Sequence, residues 1–178
     1  MADTALNAKV VPVRVLGRCG GALSDISDAI AWASGGSVSG LSANANPAEV
    51  INMSLGGGGT GLATMQNAIN SAVSRGTTVM VAAGDSSANV CGAVPANCAN
   101  VIAVAATTSA GAKASYSNFG AGSAILATLN SGTTTPGTAS CLVQRGPACG
   151  QGRRAGAVGS SPSAAAAAAT VYPSHRHP

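Results

Sequence analysis

The glycines of residues 56–61 have the most recognisable spacing for chemistry in this sequence. Gly56, Gly58 and Gly61 satisfy the pattern G-x-G-x-x-G, after a predicted strand and before a predicted helix. In dinucleotide-binding domains such glycines let the backbone approach a pyrophosphate, and an acid after the next strand binds a ribose hydroxyl. Asp85 follows the next predicted strand. One interpretation is therefore a dinucleotide-binding module that uses the turn 56–61 and Asp85.

A steric explanation competes with that interpretation. Four consecutive glycines at positions 56–59 satisfy the pattern easily. A turn from a strand to a helix also favours glycine for conformational reasons alone, without any ligand. The dinucleotide site is therefore the alternative rather than the leading hypothesis.

Histidine, the usual general base and metal ligand, occurs only at His175 and His177. The two residues lie in a segment flanked by prolines, so we expect both imidazoles to be solvated. A zinc site needs more ligands than two histidines supply, and none lies nearby in the sequence. We predict no metal and no cofactor.

The net charge of +4 comes from the C-terminal part of the sequence. Its excess cations are Arg145, Arg153, Arg154 and Arg176, because the other lysines and arginines are balanced by the acids. Aromatic residues do not alternate with these arginines, so we predict no nucleic-acid partner. No apolar run approaches the roughly 18 residues of a membrane span, and we predict no membrane partner.

Apolar periodicity predicts one α/β domain followed by a different kind of segment. Strands are predicted at residues 10–16, 50–55, 78–83 and 100–106, and helices at residues 24–34 and 62–75. Near-continuous apolar strands separated by helices indicate a doubly wound, mostly parallel sheet with helices on both faces. Residues 141–178 are rich in Gly, Arg, Ser, Pro and Ala, and we predict no regular structure there.

Several segments of residues 7–140 occur in an order that resembles the secreted bacterial subtilisin-like serine proteases, or subtilases. They are Asn-Ala-Lys-Val-Val-Pro-Val-Arg-Val-Leu-Gly from position 7, Asp-Ile-Ser-Asp-Ala-Ile-Ala-Trp-Ala from 25, Val-Ile-Asn-Met-Ser-Leu-Gly-Gly from 50, Pro-Ala-Asn-Cys-Ala-Asn-Val-Ile-Ala-Val from 95, and Ala-Ser-Tyr-Ser-Asn-Phe-Gly from 114. The resemblance implies a subtilisin-like fold, incomplete at both ends, with residues 1–140 forming part of a catalytic domain.

The resemblance also implies a substrate site. In subtilases an extended peptide or protein substrate adds as a strand between two backbone edges. One edge corresponds to Leu16 and Gly17, and the other to Ser54, Leu55, Gly56 and Gly57. The primary specificity pocket has a wall that corresponds to Ala82, Ala83 and Gly84. The resemblance further implies an extracellular location for the parent enzyme.

The catalytic residues of subtilases have no match in this sequence. The family supplies its Asp and His before the matching part and its Ser after it. Asp85 lies where most subtilases have the Asn of the oxyanion hole, although some have Asp. A carboxylate repels an oxyanion unless it is protonated. We therefore expect a fragment of a serine endopeptidase that is inactive by itself.

Cys91 and Cys98 flank a short loop, Gly-Ala-Val-Pro-Ala-Asn. A disulfide between them would close a small ring, which is typical of an exported protein. We expect this pair to form.

A shift of reading frame would explain the change of composition after Ser140. The residues Leu-Val-Gln-Arg from position 142 are compatible with codons that give Trp-Tyr-Asn-Gly when read one nucleotide later. We predict that the gene, read in the shifted frame, encodes the subtilase nucleophile segment. A shifted frame without subtilase-like sequence would rule this origin out.

Overall fold

The computed structural model describes residues 8–59, 63–108, 112–120, 124–128 and 169–172. The helices are α1 (Leu23–Ala33) and α2 (Ala63–Ser74). The strands are β1 (Val11–Val13), β2 (Val50–Met53), β3 (Gly57–Gly58), β4 (Thr78–Ala82), β5 (Ala93–Val94), β6 (Ile102–Thr107), β7 (Ala124–Thr128) and β8 (Ala169–Tyr172). Most of these elements lie where the sequence predicts them. Strands β3, β5, β7 and β8 are additions to the predicted set.

A six-stranded sheet in the order β1-β8-β2-β4-β6-β7 forms the centre of the fold. The pairs β2–β4, β4–β6 and β6–β7 are parallel, and Met53 lies opposite Val81 in the first of them. The predicted parallel α/β sheet is therefore confirmed. A separate antiparallel pair joins β3 to β5, with Gly57 opposite Val94.

Strand β8 departs from the sequence-based expectation. It runs antiparallel to both of its neighbours, and Val171 lies opposite Val11 on one side and Ile51 on the other. We predicted no regular structure for residues 141–178, and at Ala169–Tyr172 that prediction is wrong. Thr, Val and Tyr are strong strand formers, and the two flanking strands offer backbone partners on both sides. The rest of residues 141–178 lies outside the described part of the chain.

Both described helices pack on one face of the sheet. Ile51, Met53, Val79 and Val81 are buried there, against the apolar faces of α1 and α2. The predicted arrangement with helices on both faces is therefore seen on one face within the described residues. Strand residues that point the other way, such as Met80, are only half-buried.

Helix α1 begins at Leu23, one residue before the predicted start. Ala22 is the N-cap and makes no side-chain hydrogen bond, whereas Ser24 donates to its neighbour Asp25. Ile26, Ile30 and Ala33 form the buried face, as their helical spacing predicts. Burial of this face, rather than capping, therefore determines where the helix forms.

Arg75 links the two helices at their C-terminal ends. Its Nε donates to the Ser34 backbone oxygen at 3.0 Å, and its Nη2 donates to Ser34 Oγ at 2.7 Å. Its Nη1 donates to Ser71 Oγ at 2.6 Å. Gly36 leaves the room for this guanidinium, because a Cβ there would lie 2.9 Å from Nη2. One planar guanidinium thus joins α2 to the end of α1.

We predict that Arg75→Lys lowers the free energy of unfolding by about 1–2 kcal/mol, because an ammonium cannot form this fork of bonds to Ser34. Chemical denaturation of the wild type and variant measures the loss. Arg14→Lys is the matched control, since exposed Arg14 makes only a 3.3 Å bond to the Leu16 oxygen. Equal stability of the two variants would contradict a linking role for Arg75.

Candidate functional site

A groove of about 610 Å³ opens at the edge of the sheet where β2 and β4 end. One wall is formed by residues 54–58, which follow β2, and the other by residues 82–86, at the end of β4. Val104, Ala105 and Ala106 of β6 also line it, and the remaining lining residues are Ala88, Asn89, Gly92, Ala93, Val94, Tyr116 and Asn118. Because neighbouring parallel strands end at the same edge, the two walls face each other.

The first wall presents backbone rather than side chains. The ladder between β2 and β4 ends at Met53–Val81, and β3 begins at Gly57. The backbone of residues 54–56 therefore lies outside both ladders. Gly56 also approaches β5 closely, since a Cβ at this position would lie 3.1 Å from the Val94 oxygen. A side chain here would push β3 and β5 apart.

The second wall combines a buried alanine, a glycine with a positive φ and an exposed acid. Ala83 is buried, and its N–H donates to the Val104 oxygen at 2.9 Å. Gly84 has a φ of +104°, a conformation that favours glycine. The Asp85 side chain is exposed and lies in the lining of the groove. This wall leaves space for a side chain from a bound molecule.

The structure gathers most of the predicted site residues. Eight of them lie together in the groove: Ser54, Leu55, Gly56, Gly57, Ala82, Ala83, Gly84 and Asp85. Leu16 and Gly17 are not in its lining. Gly17 instead pairs with Gly20 in a tight turn, donating to its oxygen at 2.8 Å, and Leu16 packs against the core.

Asn118 is a residue of the groove that our sequence analysis did not identify. Its buried amide bonds to the backbone of the second wall at three positions, Ala83, Ser86 and Ala88. The segment 114–120 contributed to the resemblance, but its residues suggested no role. The only sequence signal was a Ser-Asn pair between two aromatic residues, and such a pair in a loop is common.

The prediction of a disulfide between Cys91 and Cys98 is wrong. Cys91 is disulfide-bonded, but Cys98 is a free and buried thiol. The turn between them explains this, because Cys98 N–H donates to the Pro95 oxygen and its side chain joins the core. Asn97 holds the same turn by donating to the backbone oxygens of Gly59 and Cys91. Burial raises the pKa of the Cys98 thiol to about 11.

Two further site classes find no support in the described part of the chain. There, no group of three or more His, Cys, Asp or Glu side chains could hold a metal ion. Neither described helix is long and apolar enough to cross a membrane.

Comparisons with known proteins identify the family. The model of the subtilase family matches residues 1–175, and the chain belongs to that family. An extracellular protease of Xanthomonas campestris pv. campestris is 70% identical over 165 residues, which cover 89% of this chain and 28% of that protein. An extracellular basic protease of Dichelobacter nodosus is 43% identical over 143 residues, covering 76% and 24%.

A solved structure shows the same architecture. The protease of Pseudoalteromonas arctica superimposes with a TM-score of 0.68 at 49% identity, over 80% of this chain and 47% of that one. The chain thus spans about a quarter of the two curated relatives and about half of the solved one.

The family match continues past Ser140, to residue 175. The frameshift origin of the segment after Ser140 stays a prediction.

We predict that Cys98 resists alkylation at pH 8 without reductant while exposed Cys19 reacts, because a thiol with a raised pKa holds little thiolate. The folded-state pKa lies above the ordinary value of 9.0. The resulting stabilisation is therefore complete below pH 9 and declines as the pH rises toward 11. Mass spectrometry after iodoacetamide treatment and denaturation at several pH values measure both effects.

The control is Cys98→Ala, which should unfold without this decline above pH 9. Equal labelling of Cys19 and Cys98 in the folded protein would show that the Cys98 side chain is accessible, contrary to the structure.

Proposed function

We propose that this chain carries the peptide-binding groove of an extracellular serine endopeptidase. The observation that supports this most directly is the backbone of residues 54–56, which lies in the groove outside both ladders. An extended peptide binds such a backbone by adding as a strand, with main-chain hydrogen bonds supplying the affinity. The substrate class is therefore a peptide or an unfolded stretch of protein.

Selectivity would come from the second wall. Ala82, Ala83 and Gly84 have small or absent side chains, so the space beside them can accept one side chain of the peptide. The lining is mostly apolar because β6 supplies Val104 and Ala105 to it. We propose that this space is the primary specificity pocket and that it prefers an uncharged side chain.

Asp85 has a separate proposed role at the rim of that pocket. In the parent enzyme this position would face the oxyanion of the tetrahedral intermediate. A protonated carboxyl donates a hydrogen bond to an oxyanion, whereas a carboxylate repels it. An endopeptidase that uses Asp85 in this way would therefore need the carboxyl to be protonated during the reaction.

Hydrolysis needs groups besides the groove. A serine nucleophile, a histidine that takes and returns its proton, and a carboxylate that orients the imidazole are the minimum. The sequence has histidine only at positions 175 and 177, outside the described residues. We propose that this chain binds peptide without turnover, and that catalysis belongs to the whole protease.

The location of the parent enzyme follows from its relatives. The Xanthomonas and Dichelobacter proteins are both named as extracellular proteases. The disulfide bond of Cys91 suits the same oxidising compartment. We therefore propose that the parent protein acts outside the cell.

The dinucleotide alternative is not favoured. Gly57 and Gly58 form strand β3 and pair with β5, so these two glycines do not form an open loop that could cradle a phosphate. Membership in the subtilase family argues in the same direction.

We predict that the chain binds a fluorescent, uncharged extended peptide and that Gly58→Val weakens this binding by about tenfold through steric exclusion. Position 58 suits the test because a Cβ there meets no atom within 4 Å, so the fold tolerates it. Fluorescence anisotropy measures the dissociation constants. Ser39→Val, at an exposed loop position outside the groove lining, is the matched control.

Casein and a chromogenic peptide should show no turnover by the wild-type chain, and a fluorophosphonate probe should label no serine. Covalent labelling would show that the chain contains a working nucleophile. A peptide affinity equal in the wild type and Gly58→Val would place binding elsewhere. Saturable stabilisation by NAD, abolished by Gly58→Val, would revive the dinucleotide alternative.

A further inference from the structure

Residues 113–119 form a loop folded around the ammonium group of Lys113. This Nζ donates to the backbone oxygens of Ala114 at 2.9 Å and Ser117 at 3.1 Å, and more weakly to Ser115 at 3.4 Å. It also lies 5.4 Å from the centre of the Phe119 ring. One cation thereby satisfies carbonyl groups that point into the turn, so the loop has a defined shape of its own.

Ser117 attaches this loop to the sheet. Its hydroxyl is fully buried, accepts from the Ala106 N–H at 3.0 Å and donates to the Asn118 oxygen at 3.0 Å. The Ala106 N–H belongs to β6, which contributes to the lining of the groove. Asn118 is therefore held at a fixed place relative to the β6 residues that line the groove.

Asn118 in turn holds the second wall of the groove. Its Oδ1 accepts from the N–H groups of Ser86 at 3.1 Å and Ala88 at 2.9 Å, and its Nδ2 donates to the Ala83 oxygen at 2.9 Å. Its own N–H donates to the Gly84 oxygen at 3.0 Å. These four bonds bracket Asp85 on both sides.

Gly84 fits against the same amide. A Cβ at position 84 would lie 2.3 Å from Asn118 Nδ2, which is closer than atoms can approach. The left-handed φ of +104° adds a second reason for glycine. The wall and the asparagine are thus complementary, and neither can move toward the other.

We propose that Asn118 is a positioning residue of the peptide groove. It sets the path of residues 83–88, and with it the location of Asp85, relative to the backbone of residues 54–56 on the opposite wall. The residue acts through the backbone of the second wall and does not need to touch the peptide. The functional part of this inference rests on the proposed peptide-binding function.

Amide hydrogen exchange, measured by NMR on the whole chain, tests the positioning. Asn118→Ala removes three side-chain bonds, so the Ser86 and Ala88 amides should exchange about tenfold faster or more. Asn118→Asp keeps an acceptor for the two amides but sets a second oxygen against the Ala83 oxygen, so it should slow their exchange only in part relative to Asn118→Ala. Ala83, whose oxygen loses its donor in either variant, should shift in both spectra.

Asn44→Ala is the matched control. Asn44 also braces a loop, donating to the Trp32 and Ala33 oxygens and accepting from the Asn46 N–H, but it lies outside the groove lining. This variant should leave Ser86 and Ala88 exchange unchanged. If Asn118→Ala fails to fold, as shown by unprotected α2 amides, Gly84→Ala displaces the same amide and should produce the same local pattern.

The results separate the positioning of the second wall by Asn118 from the peptide-binding function of the groove. Wild-type exchange at Ser86 and Ala88 in Asn118→Ala, or equal acceleration in Asn44→Ala, would overturn the positioning role. If Asn118→Ala exchanges faster but binds the fluorescent peptide as tightly as the wild type, Asn118 orders the second wall without affecting peptide binding. That result would overturn its role in the peptide groove. A wild-type chain that binds no peptide while Asn118→Ala accelerates exchange would refute the proposed function and leave the positioning of the wall supported.

Discussion

The parallel pairing of β2 with β4 is the constraint on which the groove depends. With Met53 opposite Val81, the chain leaves the two strands at the same edge and at the same level. Residues 54–58 and 82–86 must then face each other across a gap. A slip by one residue would reverse the buried and exposed faces of the strand as well as shift one wall. The core that fixes the register therefore also fixes the geometry of the site.

The core enforces that register from one side. Ile51, Met53, Val79 and Val81 share the face that α1 and α2 cover, so alternate residues of both strands must point the same way. Arg75 ties the ends of the two helices, which keeps this cover in place. The walls themselves contain few large side chains, and their shape comes from backbone bonds instead. Apolar packing thus positions the strands, and polar contacts shape the two walls at their ends.

The sequence predicts the parts of the structure that depend on local pattern. Apolar runs identify β2, β4 and β6, helical spacing identifies the buried face of α1, and the ordered subtilase-like segments identify both walls of the groove. It does not predict contacts between distant positions. Asn118 bonds to residues 30–35 positions away, and Asn97, which holds the turn before Cys98, bonds to the Gly59 oxygen 38 positions away. Strand β8 depends on the edges of β1 and β2, which no property of residues 169–172 reveals.

The small residues of the two walls and the polar support behind the second wall have a common physical reason. A groove that recognises a backbone must offer backbone in return, and glycine and alanine provide this with the least obstruction. Such residues contribute few contacts to hold their own conformation, so the second wall needs an external support. The buried amide of Asn118 supplies one, because it bonds to the backbone of Ala83, Ser86 and Ala88. The second wall therefore takes its shape from a buried polar residue behind it as well as from the small residues that line the groove.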